Sequence, residues 1–420
     1  MTSTPLWRNR DFVLLEWGRL LSTIGSASSG IAYPLLVLAL TQSPTKVGIV
    51  SFMRGIPQPL LGLFAGVAAD RGNRKRQMIV ADVLRAAALA SLGSLVVLGE
   101  APWWFVAVVA LVEGTGSTVF SAASAGALRA VVPTQQLPAA VGAQRARMST
   151  TLIVGSPIGG ALFQLGRAVP FLVDAGSYVF SIASLAAMRT PFQEERLRVP
   201  ARLRAQLVAG VRFLWSRPFL RTCAFLYGLG NPLMPAILVV LVVVGRRQHL
   251  TGGEIGVLSA SLGAAALVGS LVSPLARRAL PIRTIMLLEF TTWFGAWLFV
   301  AWPSVYVLLA VIVPFGIAAP ITDSFVEGYR IAMTPDELLG RAEAARSTIT
   351  WLLLPLGPLV AGFLLAHVSA RVTVAIFAAF ALSLFIWGTL SGALRAAPSL
   401  AELADVSRSG GAAEPQPSVR

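Results

Sequence analysis

Apolar residues in this chain come in long runs, each close to the 20 or so residues that cross a bilayer as an α-helix. Six runs fall at 12–37, 46–69, 76–99, 103–128, 138–165 and 169–189. Six more fall at 219–244, 254–276, 282–300, 304–329, 342–366 and 371–394. The pattern predicts an all-α polytopic membrane protein of twelve transmembrane helices, numbered 1 to 12 in chain order, because helices satisfy their own backbone inside lipid. Thr251 and Glu254 have the spacing of a capping box at the start of helix 8.

The polar segments between the runs divide the chain into a six-helix half (1–189), a linker (190–218), a second six-helix half (219–395) and a tail (396–420). In the linker, Leu203, Leu207, Val211 and Leu214 repeat at helical spacing among charges, the pattern of an amphipathic helix lying on a membrane surface. The tail, rich in Ser, Gly and Pro, is expected to be disordered.

The charge distribution orients the bundle. Assigning segments alternately to two sides puts 26 Lys+Arg on the side of both termini, 5 on the other and 3 within spans. The positive-inside rule then places both termini in the cytoplasm of a multi-pass membrane protein. Trp103, Trp104 and Trp302 fall at outer helix ends and Trp7 and Trp215 near inner ones, as an aromatic belt requires.

Composition agrees: 55% of the 420 residues are hydrophobic and 13% charged. A net charge of +15 would point to nucleic acid in a soluble protein, but here it is concentrated beside membrane spans, so the bilayer is the expected partner and nucleic acid is not. The single cysteine, Cys223, lies in an apolar run and permits neither a disulfide within the chain nor a thiolate metal site. The two histidines, His249 and His367, are both placed outside, so no metal and no cofactor is expected and a membrane-embedded enzyme is disfavoured. No Gly-Lys dipeptide occurs, which excludes a P-loop and disfavours an ATP-driven pump. No cleavable leader is recognisable before the first run, so the N-terminus is expected to be retained.

The halves repeat weakly. An offset of 207 residues aligns Gly62 with Gly269, Arg71 with Arg278, Arg76 with Arg283 and Asp82 with Glu289. An offset of 202 aligns Pro133 with Pro335, Gly155 with Gly357 and Gly160 with Gly362. Paired six-helix halves are a transporter pattern, with a substrate site between them near the midplane.

Between helices 2 and 3 stands Gly66-Val67-Ala68-Ala69-Asp70-Arg71-Gly72-Asn73-Arg74-Lys75-Arg76, a tight basic turn. Helix 5 contains Gly155-Ser156-Pro157-Ile158-Gly159-Gly160. On these two motifs the chain, over roughly residues 8–395, resembles the major facilitator superfamily, and within it the bacterial twelve-helix drug and natural-product exporters of the macrolide-efflux type. The family form of the first motif, Gly-x-x-x-Asp-Arg-x-Gly-Arg-Lys/Arg, is matched by Gly66, Asp70, Arg71, Arg74 and Lys75. Asn73 replaces its second glycine, a residue that tolerates a left-handed backbone. By the resemblance these residues form a cytoplasmic gate in which Asp70 faces the start of helix 11 near Gly340 and Arg341. The second motif resembles the antiporter motif Gly-Pro-x-x-Gly-Gly that separates exporters from importers, with Gly155, Gly159 and Gly160 in place and the proline displaced to Pro157.

Several charged residues fall inside the spans, where charge is costly and usually functional. Glu113, near the middle of helix 4 among Gly114, Thr115, Gly116, Ser117 and Thr118, is the carboxylate best placed to carry a proton, or else a structural partner of Arg54. Asp174 and Arg54 can pair with each other and gate the outer face, or serve a structural role. Asp82 and Arg85 pair at i, i+3 on helix 3, and with Glu289, the repeat mate of Asp82, read as gate scaffolding. Glu16 and Arg19 form another i, i+3 pair. Asp323 and Glu327 share one face of helix 10 and can bind a cationic group or proton, or close the inner gate with Arg330. Ser22, Thr23, Ser26, Ser28 and Ser29 line helix 1 or pack it. Pro34, Asn231-Pro232, Pro235, Pro314, Pro320, Pro355 and Gly357-Pro358 are expected bends.

The expected function is a monomeric secondary exporter of small lipophilic compounds, exchanging them for protons by alternating access. An importer or facilitator of a small metabolite or siderophore on the same fold is the alternative.

Overall fold

The computed structural model describes residues 6–190, 192, 203–334 and 338–396. Twelve helices are long and apolar enough to cross a membrane: Arg10–Thr41, Pro44–Arg71, Arg74–Leu98, Trp103–Leu128, Thr134–Leu165, Val169–Ala187, Pro218–Arg247, Gly252–Ala279, Ile282–Ala301, Val305–Ile331, Ala345–His367 and Ala370–Leu390. They are spans 1 to 12 below. The described residues contain no strand. Leu203–Ser216 forms a separate helix before span 7, where the amphipathic pattern predicts one. The expectation of a disordered tail falls on residues 397–420, outside the described residues.

Proline breaks some spans and not others. Span 2 parts at Ile56, with Pro57 opening its second segment. Span 7 parts at Asn231-Pro232, and span 11 parts between Leu352 and Leu356, where Pro355 caps the second segment. At each break the ring removes a donor and crowds the preceding turn. Pro34, Pro314 and Pro320, also expected to bend their helices, lie inside unbroken helical segments. The break at Pro57 was not among the expected bends. Asn73 departs from expectation too: at φ −74°, ψ 106° it is extended, and its side chain caps span 3 by accepting from the Arg76 amide at 3.0 Å. Asparagine thus serves here as a helix cap and not as a left-handed turn residue.

Within the first half, span 1 packs on spans 5 and 6, span 4 on spans 2 and 3, and span 3 on span 6. The halves meet along two seams, span 2 against span 11 and span 5 against span 8. Both seams are made by glycine against backbone. A Cβ on Gly160 would collide with the Gly252 carbonyl oxygen, and one on Gly362 with the Pro44 carbonyl oxygen. A Cβ on Gly256 would lie 2.5 Å from the Ser156 carbonyl oxygen, and one on Gly48 2.6 Å from that of Pro358.

These contacts are copies of one another. Gly160 and Gly362, like Ser156 and Pro358, are 202 positions apart, while Pro44 and Gly252, like Gly48 and Gly256, are 208 apart. Gly155 lies against Ala27 of span 1 and its mate Gly357 against Pro232 of span 7. The weak glycine repeat in the sequence therefore has a physical counterpart: it marks where two backbones touch.

Both seams close the face remote from the chain ends. Toward the basic face, which carries the span 2–3 turn, a Cβ on Gly66, Gly142 or Gly328 would meet nothing within 4 Å. The close glycine contacts between the halves thus lie toward one side. Forcing a branched side chain into close-packed backbone costs about 1–3 kcal/mol, so Gly160→Val and Gly362→Val are each expected to shift the protein toward opening of the sealed face. A cysteine at Leu35, which packs against Gly252 in the sealed seam, should then be labelled faster by a membrane-impermeant thiol reagent from that side. An unchanged labelling rate would show that the seams do not hold that face closed.

Candidate functional site

A buried charge network occupies the first half. Glu113 of span 4, 1% exposed, receives Arg54 of span 2 through two bonds, Nε to Oε2 at 2.6 Å and Nη2 to Oε1 at 3.0 Å. Arg85 of span 3 approaches the same carboxylate at 3.6 Å and holds Asp82 at 3.4 Å. Asp82 and Asp174 are both fully buried. Span 1 supplies the bridging groups. Arg54 Nη2 donates to the Ser26 carbonyl at 2.9 Å, Arg85 Nη2 to Ser26 Oγ at 3.1 Å, and Ser26 Oγ lies 2.7 Å from the Tyr178 hydroxyl. The Arg85 guanidinium stacks 4.0 Å over the Tyr178 ring, and that of Arg54 lies 5.7 Å from the centre of the Tyr33 ring.

Glycines make room for these groups. A Cβ on Gly114 would meet the Arg54 backbone, one on Gly116 the Arg85 side chain at 2.6 Å, and one on Gly25 Asp174 Oδ1 at 2.5 Å.

The expected pairing of Arg54 with Asp174 is not formed. Span 1 packs against both span 2 and span 6, and its polar groups take each partner separately. Arg54 goes to Glu113 and the Ser26 carbonyl, whereas Asp174 accepts from Ser29 Oγ at 2.6 Å and Ser177 Oγ at 3.2 Å. Glu113 has the arrangement of a structural partner of Arg54. Glu16 pairs with Arg19 at 3.8 Å and, across to span 5, with Arg147 at 3.3 Å.

The basic turn faces its own half. Arg74 pairs with Asp70 at 3.2 Å, donates to the carbonyls of Ala69 and Phe192, and lies over Gly126 of span 4. Lys75 donates to the Met188 carbonyl at 2.8 Å, at the end of span 6. Arg71 is exposed. The Asp70 side chain is 77% exposed. The side chains at 340 and 341, its expected counterparts, lie outside the described residues. In the helix 5 motif, a Cβ on Gly159 would collide with the Ser28 carbonyl oxygen and Ile31 of span 1, while Pro157 backs Gly256 in the seam with span 8.

The second half is built differently. Glu327 and Arg330 of span 10 are in contact, Arg330 reaches Glu343 at 3.2 Å, and Glu343 holds Arg346 at 2.7 Å, so a chain of alternating charge ties the basic ends of spans 10 and 11. Asp323, one turn deeper, is exposed. Glu289 is 8% exposed and makes no ion pair among the described residues. Span 4 exposes two stripes: apolar Trp104, Val108 and Leu111 on one face, Ser117 and Ser121 on another. A recess of about 700 Å³ between spans 3 and 4, lined by Val80, Leu84, Leu111 and Val119, lies on the apolar side and contains none of the network's charged groups.

A family model described as transmembrane secretion effector matches residues 2–410. The chain belongs to this family, within the major facilitator superfamily. The multidrug efflux pump Tap of Mycolicibacterium fortuitum is 27% identical over 96% of this chain and 98% of its own. The enterobactin exporter EntS of Shigella boydii is 24% identical over 77% of both chains. Among solved structures, a bacterial homolog of the human lysosomal transporter Spinster, inward-facing and unoccupied, superposes with a TM-score of 0.71 at 13% identity, covering 94% of this chain and 98% of that one. The protein is accordingly a secondary transporter of small molecules in the bacterial inner membrane, and not an enzyme.

The transporter's network includes residues that sequence reasoning passed over, chiefly Tyr33, Tyr178 and Ser177. The spacing of Asp174 and Tyr178 at i, i+4 was the available signal. Removing one partner of a buried ion pair leaves the other charge unmatched, at a cost of about 3–5 kcal/mol. Arg54→Ala is therefore expected to lower the thermal midpoint of the purified protein markedly, and Arg54→Met with Glu113→Leu to recover most of the loss. Additive losses in the double variant would show that the two side chains do not act as a pair.

Proposed function

We propose that this transporter exports small lipophilic compounds from the cytoplasm in exchange for protons, as a monomer with both termini cytoplasmic. The observation that carries the reading is the pair of glycine seams, which join the halves on the face remote from the chain ends, while Gly66, Gly142 and Gly328 toward the basic face stay clear of neighbours. With the basic face in the cytoplasm, this is the state that loads substrate from inside. The names of the relatives, a multidrug efflux pump and an enterobactin exporter, support the outward direction.

Exposed Asp323 and the Ser117–Ser121 stripe offer a few polar groups on otherwise apolar helices, suited to a bulky lipophilic cation. Glu327 and Arg330 hold the basic end of span 10 to span 11 through Glu343. Asp70, Arg71, Arg74 and Lys75, with Gly66 facing open space, meet the second half when the basic face closes. Asp82, Arg85 and Glu289 brace spans 3 and 9. Glu113 holds Arg54 and Arg85 in place and so keeps the first half rigid as it rocks.

Ethidium accumulation in an efflux-deficient bacterial host tests this. Cells producing the transporter are expected to hold less dye than control cells, and a protonophore should erase the difference. Higher accumulation than in controls would reverse the direction, and a difference that survives the protonophore would remove proton coupling. Glu113→Gln, which weakens about 1–3 kcal/mol of charged hydrogen bonding, should reduce efflux roughly tenfold while leaving it sensitive to the protonophore.

A further inference from the structure

The charged groups clustered around Glu113, apart from the separate group of Glu16, Arg19 and Arg147, do not balance. Arg54 and Arg85 supply two positive charges, whereas Asp82, Glu113 and Asp174 supply three carboxylates. Glu113 is met by both guanidiniums and Asp82 by Arg85, but no guanidinium among the described residues lies within ion-pair distance of Asp174. The groups that face Asp174 are Ser26, Ser29 and Tyr33 from span 1, Arg54 from span 2, Asp82 and Arg85 from span 3, Glu113 from span 4, and Ser177 and Tyr178 from its own span. A fully buried carboxylate without a cation is the costliest state available to this cluster.

The hydrogen bonds have room for one more proton, and they have it at Asp174. Ser29 Oγ lies 2.6 Å from Asp174 Oδ2 and 3.2 Å from the Ser26 carbonyl, yet a hydroxyl has one hydrogen to give. Ser177 Oγ likewise lies 2.7 Å from the Asp174 carbonyl and 3.2 Å from Oδ1. With a proton on Oδ2, Asp174 donates to Ser29, Ser29 donates to the Ser26 carbonyl, and Ser177 donates to the Asp174 carbonyl. The hydroxyl hydrogens of Ser29, Ser177 and Asp174 then each have an acceptor, and the cluster of two guanidiniums and three carboxyl groups is neutral.

We propose that Asp174 and the Ser29 hydroxyl form a one-proton site in which the coupling proton is held apart from the substrate. The coupling role rests on the proton-antiport reading above; the site itself does not. Loading adds a proton from water to Oδ2 and release returns it to water, with no other bond made or broken. Release leaves one uncompensated negative charge beside span 1. The Ser26 carbonyl, which accepts from Ser29, also accepts from Arg54 Nη2. Arg54 is the penultimate residue of the segment Pro44–Gly55, which carries Gly48 into the seam with span 11. The proton therefore reaches the seam through Arg54, by drawing its guanidinium between Glu113 and Asp174.

Infrared spectroscopy of the purified full chain reads the site without any substrate. The wild type should show the carbonyl stretch of a protonated carboxylic acid, and Asp174→Asn should remove one component of it while Asp70→Asn, exposed and outside the cluster, leaves that component in place; Glu113→Gln, which leaves two guanidiniums facing two carboxylates, should weaken the same component. A spectrum unchanged in Asp174→Asn would overturn the proposal. Ser29→Ala, which takes away the acceptor of the Asp174 proton, should shift the same component. If Asp174→Asn did not fold, an unshifted band in Ser29→Ala would be the overturning result. In proteoliposomes, pH-gradient-driven ethidium transport by Asp174→Asn should fall at least about tenfold while dye exchange at equal pH persists. Absence of wild-type ethidium transport would count against the export reading alone, because the infrared component decides the proton site.

Discussion

Charge cannot be left unmatched in a medium that offers no water, and the first half of this molecule is organised around that constraint. Arg54, Asp82, Arg85, Glu113 and Asp174 come from spans 2, 3, 4 and 6, and serines of span 1 complete their bonding. No span among these can shift alone without stranding a partner in apolar surroundings. The half is therefore tied together as one body, which would suit a rocking transporter. The glycines at 25, 114 and 116 follow from the same requirement, because larger residues would occupy the space of the charged side chains.

The second half repeats the helix order but not this chemistry. Its alternating charges, Glu327, Arg330, Glu343 and Arg346, sit at the basic ends of spans 10 and 11, and Glu289 lies deeper without an ion pair among the described residues. The shared feature of the halves is backbone proximity. Gly48, Gly160, Gly256 and Gly362 each place a carbonyl oxygen where a side chain would otherwise be, and they occur as two equivalent pairs. One half is thus specialised for holding charge, while both contribute equally to the surface along which they separate.

The twelve spans were legible because runs of apolar residues report bilayer crossing directly, with little dependence on tertiary context. The capping box of Thr251 and Glu254 is equally local, and it forms as its spacing predicts. The local pairing of Asp82 with Arg85 was readable for the same reason. What could not be read was partner choice across spans. Arg54 lies within reach of several acids in sequence terms, and only the position of span 1 between spans 2 and 6 decides that it meets Glu113 and not Asp174. Asn73 shows the converse: its tolerance of a left-handed backbone was a fair inference from residue type, yet the start of span 3 uses its side-chain oxygen as a cap. The proline breaks were mixed for a related reason, since whether a helix parts at proline depends on what neighbouring helices offer the freed carbonyls.

The duplication of the glycine seams has a mechanical consequence. Two equivalent seams, acting as hinges, would let the halves part evenly. Enlarging a residue in one alone would wedge a single edge, tilting the halves and exposing a lateral slit between spans 5 and 8 or between spans 2 and 11. Acyl chains could enter there, so damage to one hinge would admit lipid to the transport path before it altered the path itself.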